Sequence, residues 1–324
     1  MGCIRESFAY GADGTRLYVR ERPALQNGAG NRGVESRPSG ASAHADTTTI
    51  FCDGICCDGY IWKYLWDDLL DVTRVCHWHY RGHGRSAAPL NPQCIDIAAH
   101  AGDLDAVRRH VGDGPVVLVG HSVGCQVALE AYRQRPRQVA GLVLLCGSSG
   151  RVTRTFHGND WLARGLPRLV KVTAAHPGLM RGIWSRIPVQ LALKIALATG
   201  EVARELLNPD DLVPYLEHAT DIDLLLFLRM LQAAGDYSAD EFLPAVEVPA
   251  LVIAGQADTF TPFHLAADMA AALPRGDLLT IPGATHAAPL EHRELVGQRI
   301  RDFIAGLGRR EQVSDFDPRF ASER

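Results

Sequence analysis

Three apolar runs constrain this chain more than any other feature. Residues 115–120 (PVVLVG), 139–145 (VAGLVLL) and 249–255 (PALVIAG) are continuously apolar, without the alternation of a strand that has one wet face. Strands buried on both faces belong to a parallel sheet covered by helices on each side. Segments 48–52, 75–80 and 277–281 also read as strands, with helical spacing between the strands. Ile61, Leu65, Leu69 and Leu70 predict one helix within 59–72. Ile97, Ala101, Leu104, Val107 and Val111 predict a second, Leu265, Met269 and Leu273 a third, and Leu295, Ile300 and Phe303 a last one. The expected fold class is α/β, a mostly parallel doubly wound sheet.

The pattern has an opening and an interruption. Residues 6–21 alternate around Asp13-Gly14, as in a β-hairpin. Residues 22–46 are rich in Gly, Ser, Asn and Arg and are expected to form a flexible loop. The alternation of strand and helix stops near Gly150 and resumes at 243. Between them, segments 161–173, 188–198 and 221–234 read as helices, so 151–242 is taken as a helical lid inserted in the domain. The core then comprises 1–150 and 243–307, and the charged segment 308–324 is expected to fray.

Gly120-His121-Ser122-Val123-Gly124 has the form G-x-S-x-G. By itself this is a weak signal in a chain with 31 glycines. Here it follows the most apolar run and opens a helix marked by Val127, Ala128, Ala131 and Tyr132. A tight turn between strand and helix strains the backbone at the serine and lifts its hydroxyl clear of the sheet. A serine that merely caps a helix is the plainer alternative. A segment Arg81-Gly82-His83-Gly84-Arg85-Ser86 matches R-G-x-G-x-S. On these motifs and their flanking strands the chain resembles the α/β-hydrolase superfamily, lidded serine esterase and lipase type. The likeness covers about 5–150 and 243–306.

A serine hydroxyl needs a base oriented by an acid, and in this fold the chain order is serine, acid, histidine. Asp258 stands just past the run PALVIAG, and His286 just past DLLTI. Both are expected at the sheet edge where Ser122 emerges. Ser122, Asp258 and His286 are therefore the expected triad. His121 should point away from the serine, His292 is expected to be exposed, Asp236 and Asp240 belong to the end of the lid, and 146–149 (CGSS) offers no rival carboxylate.

Acyl transfer creates an oxyanion that needs two N–H donors. Val123, directly after the serine, is one. The resemblance assigns Ile55 as the other, in the loop Asp53-Gly54-Ile55-Cys56-Cys57-Asp58-Gly59, with Gly54 beside it. The family usually carries His-Gly where this chain has Asp53-Gly54. A lone carboxylate beside a developing oxyanion would be repulsive, so Asp53 is expected to turn away onto Arg85 or a histidine of 77–83.

The expected activity is cleavage of a carboxylic ester or lactone of a hydrophobic small molecule through an acyl-enzyme. A thioesterase or acyltransferase acting on a CoA or carrier-bound acyl group is an alternative, and so is a non-catalytic binder of the same fold. Trp161, Trp184 and Phe227, with Leu162, Leu166, Leu191, Leu224 and Leu231, are candidates to line the pocket, although such residues more often form a lid's own core. His121 is a further substrate-binding candidate. Arg151, Arg154, Arg164, Arg168, Lys171, Arg181, Arg186 and Lys194 suit an anionic substrate, but a solvated surface is the commoner explanation.

The net charge of −4 gives no reason to expect a nucleic-acid partner. No apolar run has the form of a secretion signal or a membrane span. Met1-Gly2-Cys3 lacks the Ser or Thr that myristoylation wants at position 6, where Glu6 stands, so no stable membrane anchor is expected. A cytoplasmic location follows as an expectation, with the eight cysteines reduced. His77, His79 and His83 approach a metal-binding pattern, but Tyr80 and Arg81 stand where a carboxylate ligand would be wanted. No metal or cofactor is expected, and the oligomeric state is not legible.

Overall fold

The structure is a computed structural model that describes residues 3–25, 47–112, 114–155, 158–186, 188–190 and 209–314. Eight strands form one sheet in the order β1-β2-β4-β3-β5-β6-β7-β8. The hairpin β1 (Arg5–Tyr10) and β2 (Arg16–Arg22) is antiparallel and joins β4 (Arg74–Trp78), also antiparallel. All other pairings are parallel, through β3 (Thr48–Cys52), β5 (Val116–His121), β6 (Val139–Leu145), β7 (Ala250–Gly255) and β8 (Gly276–Ile281).

The apolar runs are apolar because both faces are covered. On β5, Val116 and Leu118 join one core while Val117 and Val119 join the other. On β6, Leu142 and Leu144 alternate with Val143 and Leu145 in the same way. The period of two sends successive side chains to opposite faces. One core packs under α2 (Ile97–Val111) and α3 (Val123–Gln134), and α8 (Phe263–Ala272) closes its far end. The other packs under α10 (Arg293–Ser314), which runs past the expected start of the tail at 308. α2 begins as its sequence implies, with the Asp96 carboxylate accepting from the Ala99 N–H at 2.7 Å.

The segment 59–72 departs from the single helix expected there. It is a 3₁₀ turn, Tyr60–Trp62, followed by the short helix α1 (Leu65–Asp68). Gly59, with a φ of 93°, caps the start of the first piece.

Between β6 and β7 lies a helical insertion. Its described helices are α4 (Trp161–Ala175), α5 (Pro177–Trp184), α6 (Pro209–Asp221) and α7 (Leu224–Asp236). α5 and α6 were not expected from the sequence, and most of the helix expected at 188–198 lies outside the described residues, as do 26–46 of the expected loop. Leu166, Leu224 and Leu228 form the insertion's small core. Its two ends meet where Gly150 bridges Ser238. There Arg151 N–H donates to Tyr237 O at 2.9 Å and Ala239 N–H to Ser149 O at 2.9 Å.

α9 (Ala288–Glu291) sits between β8 and α10. Among the described residues, no helix is long and apolar enough to cross a membrane. The cysteines there are all free thiols, most of them buried.

Candidate active site

The C-terminal edge of the parallel strands carries the residues that the sequence singles out. Ser122 sits between the last residue of β5 and the first of α3 with φ 56° and ψ −121°. Few non-glycine residues adopt a positive φ, and such strain persists only where the surroundings enforce it. Here they do. A Cβ at Gly124 would stand 2.1 Å from Cys52 O, and one at Gly120 2.4 Å from Gly124 O. The turn therefore packs backbone against backbone and requires glycine on both sides of Ser122.

His286 lies beyond β8. Its Nδ1 is 2.9 Å from Asp258 Oδ2. Asp258 is buried beyond β7 and accepts three more bonds, from the N–H groups of Phe260 and Thr261 at 2.9 Å each and the Thr261 hydroxyl at 2.8 Å. Burial would raise this carboxyl, but His286 and these donors hold it below the usual range. With Asp258 ionised, the His286 proton rests on Nδ1 and leaves Nε2 as an acceptor.

Further residues hold the histidine, and sequence reasoning missed them. The buried Glu291 accepts from the Thr285 N–H at 2.8 Å and its hydroxyl at 2.6 Å, clamping the residue before His286. Thr261 was also missed, although a carboxylate followed three residues later by a threonine is a turn signal. His121 Nε2 donates to His286 O at 2.9 Å, so its ring is tied to the loop rather than to Ser122. Burial lowers its pKa to about 3, which keeps it neutral. His292 is half-buried rather than exposed, because it lies in the bend between α9 and α10.

A family model described as "Alpha/beta hydrolase family" matches residues 50–299. The chain belongs to the α/β-hydrolase family. This α/β hydrolase is 32% identical over 230 residues to lipase LipV of Mycobacterium tuberculosis, an alignment covering 64% of this chain and 82% of that one. It is 28% identical over 320 residues to polyketide synthase ThaQ of Burkholderia thailandensis. That match covers 94% of this chain but only 14% of the synthase, so the chain spans a small part of that relative's length. Among solved structures, the esterase EaEST of Exiguobacterium antarcticum superposes with a TM-score of 0.71 at 20% identity, covering 93% of this chain and 99% of that one. At that identity the likeness concerns the fold.

Two cavities of this α/β hydrolase meet at Ser122. The larger, about 530 Å³, is bounded by Ile55, Ser122 and Val123 below and by residues of the insertion above, Trp161, Trp184 and Phe227 among them. The smaller, about 290 Å³, is lined by Gly54, Tyr60, His121, Ser122, Tyr215 and His286. Trp184 and Phe227 line the cavity and also pack against the insertion's small core, whereas Trp161 lines the cavity but is exposed. Trp184 stacks on Phe227 at 5.9 Å, donates its indole N–H to Ala219 O at 3.0 Å, and faces the cavity. The basic residues of the insertion's first half are exposed wherever described, as on a solvated surface. Lys194 and Leu191 lie outside the described residues.

Asp53 is fully buried and turned onto a histidine of the 77–83 stretch. Its Oδ2 accepts from His77 Nε2 at 2.8 Å and its Oδ1 from the Trp62 indole at 2.5 Å. Arg85, the other expected partner, is engaged with Glu6 at 2.8 Å. His79, just beyond β4, accepts at Nδ1 from the Arg85 N–H at 2.8 Å, and its ring stands 5.3 Å from that of His77.

Proposed function

We propose that this chain is a serine hydrolase that cleaves a carboxylic ester or lactone of a hydrophobic small molecule through an acyl-enzyme intermediate. One observation carries the reading: a serine in strained backbone at a turn between strand and helix borders the same cavity as a histidine whose far nitrogen is tied to a buried carboxylate. In this reading His286 Nε2 takes the Ser122 proton as Oγ attacks the substrate carbonyl. The same nitrogen returns it to the departing alkoxide, and a water then repeats the sequence to release the acid. Asp258 fixes the tautomer and stabilises the imidazolium. The N–H groups of Val123, at the head of α3, and of Ile55 receive the oxyanion, and the helix terminus adds its positive end.

The cavity walls support an apolar substrate, and the helical insertion, acting as a lid, supplies most of them. The match to a polyketide synthase over 94% of this chain favours a second reading, a thioesterase or acyltransferase using the same acyl-enzyme on a carrier-bound acyl group.

The test is intact-mass analysis after treatment with a fluorophosphonate, with Ser122→Ala alongside. One adduct that disappears in the variant is expected, followed by turnover within a panel of p-nitrophenyl esters, lactones and acyl-CoA thioesters. A folded protein that takes up no adduct and turns over none of the panel would remove the hydrolase reading and leave a binder of the same fold.

A further inference from the structure

The buried Asp53 has more structure around it than neutralising a charge requires. Arg20 Nε donates to His77 Nδ1 at 3.1 Å. A guanidinium has no acceptor, so Nδ1 must be the acceptor and the His77 proton must sit on Nε2. That proton points at Asp53 Oδ2, 2.8 Å away, while the Trp62 indole donates to Oδ1. Burial and the Arg20 charge lower the His77 pKa, so the ring is neutral. The result is a one-way chain of donors, from Arg20 through His77 to Asp53, with Trp62 closing the other oxygen. The Tyr80 hydroxyl holds the same residue from behind, donating to Asp53 O at 2.8 Å.

The chain has a built passage. A Cβ at Gly59 would stand 2.4 Å from an Arg20 nitrogen and 2.6 Å from His77 Cε1. Arg20 lies over the Trp66 ring at 4.9 Å, which fixes its direction. The far end of the chain is the start of the loop that carries Gly54 and Ile55. That loop touches the nucleophile, since a Cβ on Gly54 would be 3.3 Å from Ser122 Cβ.

We infer that Asp53 is a positioning residue, and that the polarity of the Arg20–His77–Asp53–Trp62 chain sets the oxyanion loop against Ser122. The inference rests on the serine-hydrolase reading above. It explains how the chain accommodates a carboxylate where its family usually has a histidine. The carboxylate is the one group that can accept from both His77 and Trp62, and Arg20 balances its charge through a neutral ring.

The test exploits the direction of the donors. In Asp53→Asn the amide has one acceptor for two donors, and His77 cannot change tautomer because Arg20 still donates to Nδ1. An N–H is then forced against an NH₂ and the loop shifts. In Arg20→Gln the carboxamide sits where Nε stood, and it can either donate or accept. The double variant Asp53→Asn/Arg20→Gln can therefore reverse the chain. The carboxamide oxygen at position 20 accepts from His77 Nδ1, and His77 Nε2 accepts from the new NH₂ at position 53. The amide oxygen at position 53 still accepts from Trp62.

The expectation for p-nitrophenyl ester hydrolysis is a fall in kcat of about 10- to 100-fold for Asp53→Asn, with KM changed by less than about threefold. This is part of the roughly 10²- to 10³-fold lost with a whole oxyanion donor. Arg20→Gln alone should cost a few-fold, and the double variant should recover most of the kcat lost by Asp53→Asn. An Asp53→Asn enzyme as active as wild type, or a double variant no better than Asp53→Asn, would overturn the inference. So would a loss confined to KM or to melting temperature. If Asp53→Asn does not fold, the double variant decides, because a reversed chain predicts that it folds and turns over ester. A wild type that takes up no adduct and turns over none of the panel would remove the hydrolase reading alone. The chain would then be read in melting temperature, where Asp53→Asn must lose and the double variant regain, and a double variant that does not regain would overturn the inference.

Discussion

Ser122 occupies backbone that costs about 1–3 kcal/mol for a residue with a side chain, and Gly120, Gly124 and the carbonyl of Cys52 leave it nowhere else to go. What that strain gains is a hydroxyl held on the cavity wall it shares with His286. The carboxylate behind His286 is the part most open to direct test. Asp258→Asn keeps shape and most hydrogen bonds but removes the acceptor that holds the proton on Nδ1. A loss of about 10³- to 10⁴-fold in kcat is expected, with KM within a few-fold and little change in melting temperature. An Asn variant retaining a tenth of the activity would mean that His286 is oriented by other groups. Glu291 acts one step further out, through Thr285, and its removal should cost less.

At the scale of elements, the turn from β5 into α3 is a contact between backbones, and this fixes what it tolerates. Gly124→Ala would drive a methyl group into Cys52 O and Asp53 O, neither of which can rotate away. It should destabilise the protein by at least about 3 kcal/mol, the upper end of what overpacking costs. Gly165 in α4 is exposed, and a methyl group added there would meet nothing within 4 Å, so Gly165→Ala should stabilise by about 0.5–1 kcal/mol. Denaturant midpoints of the two variants should move in opposite directions, and a tolerated Gly124→Ala would contradict the packing described. The same contrast separates what was legible in the sequence from what was not. Runs such as VVLVG and VAGLVLL announce themselves because both faces of their strands are buried; Ser122 and Asp258 stand where such runs end, and His286 follows the half-buried edge strand β8. The division of 59–72 into a 3₁₀ turn and a short helix was hidden, since Ile61, Leu65 and Leu69 are spaced as in one helix. α5, opening on Pro177-Gly178, and α6, opening on Pro209 with Pro214 inside it, were hidden because those residues read as turn signals. The pairing of Thr285 with Glu291 depends on the fold of α9, a four-residue helix that no pattern marks.

The molecule as a whole buries an unusual set of titratable rings. His77, His79, His83, His100 and His121 are all buried, and burial lowers each of them, His83 to about 4 and His79, His100 and His121 to about 3. In the unfolded chain a histidine titrates near 6.5. Below that value the unfolded state binds protons that the folded state refuses, so this contribution is complete above pH 6.5 and is lost as pH falls toward 4 and then 3. Each ring adds a slope of up to about 1.4 kcal/mol per pH unit inside its window. Urea midpoints should therefore be level from pH 8 to 7 and drop steeply between 6 and 4, with uptake of several protons on unfolding. A stability that stays level down to pH 5 would show that these rings are charged in the native state. A different consequence follows from the clasp at Gly150 and Ser238. Because the insertion leaves and re-enters the core at one point, the sheet experiences it as a closed loop, and doubling such a loop adds only about 0.6 kcal/mol of closure cost. A longer, shorter or differently shaped segment could therefore be grafted at that clasp at small closure cost, leaving the turn at Ser122 and the carboxylate–histidine pair in place.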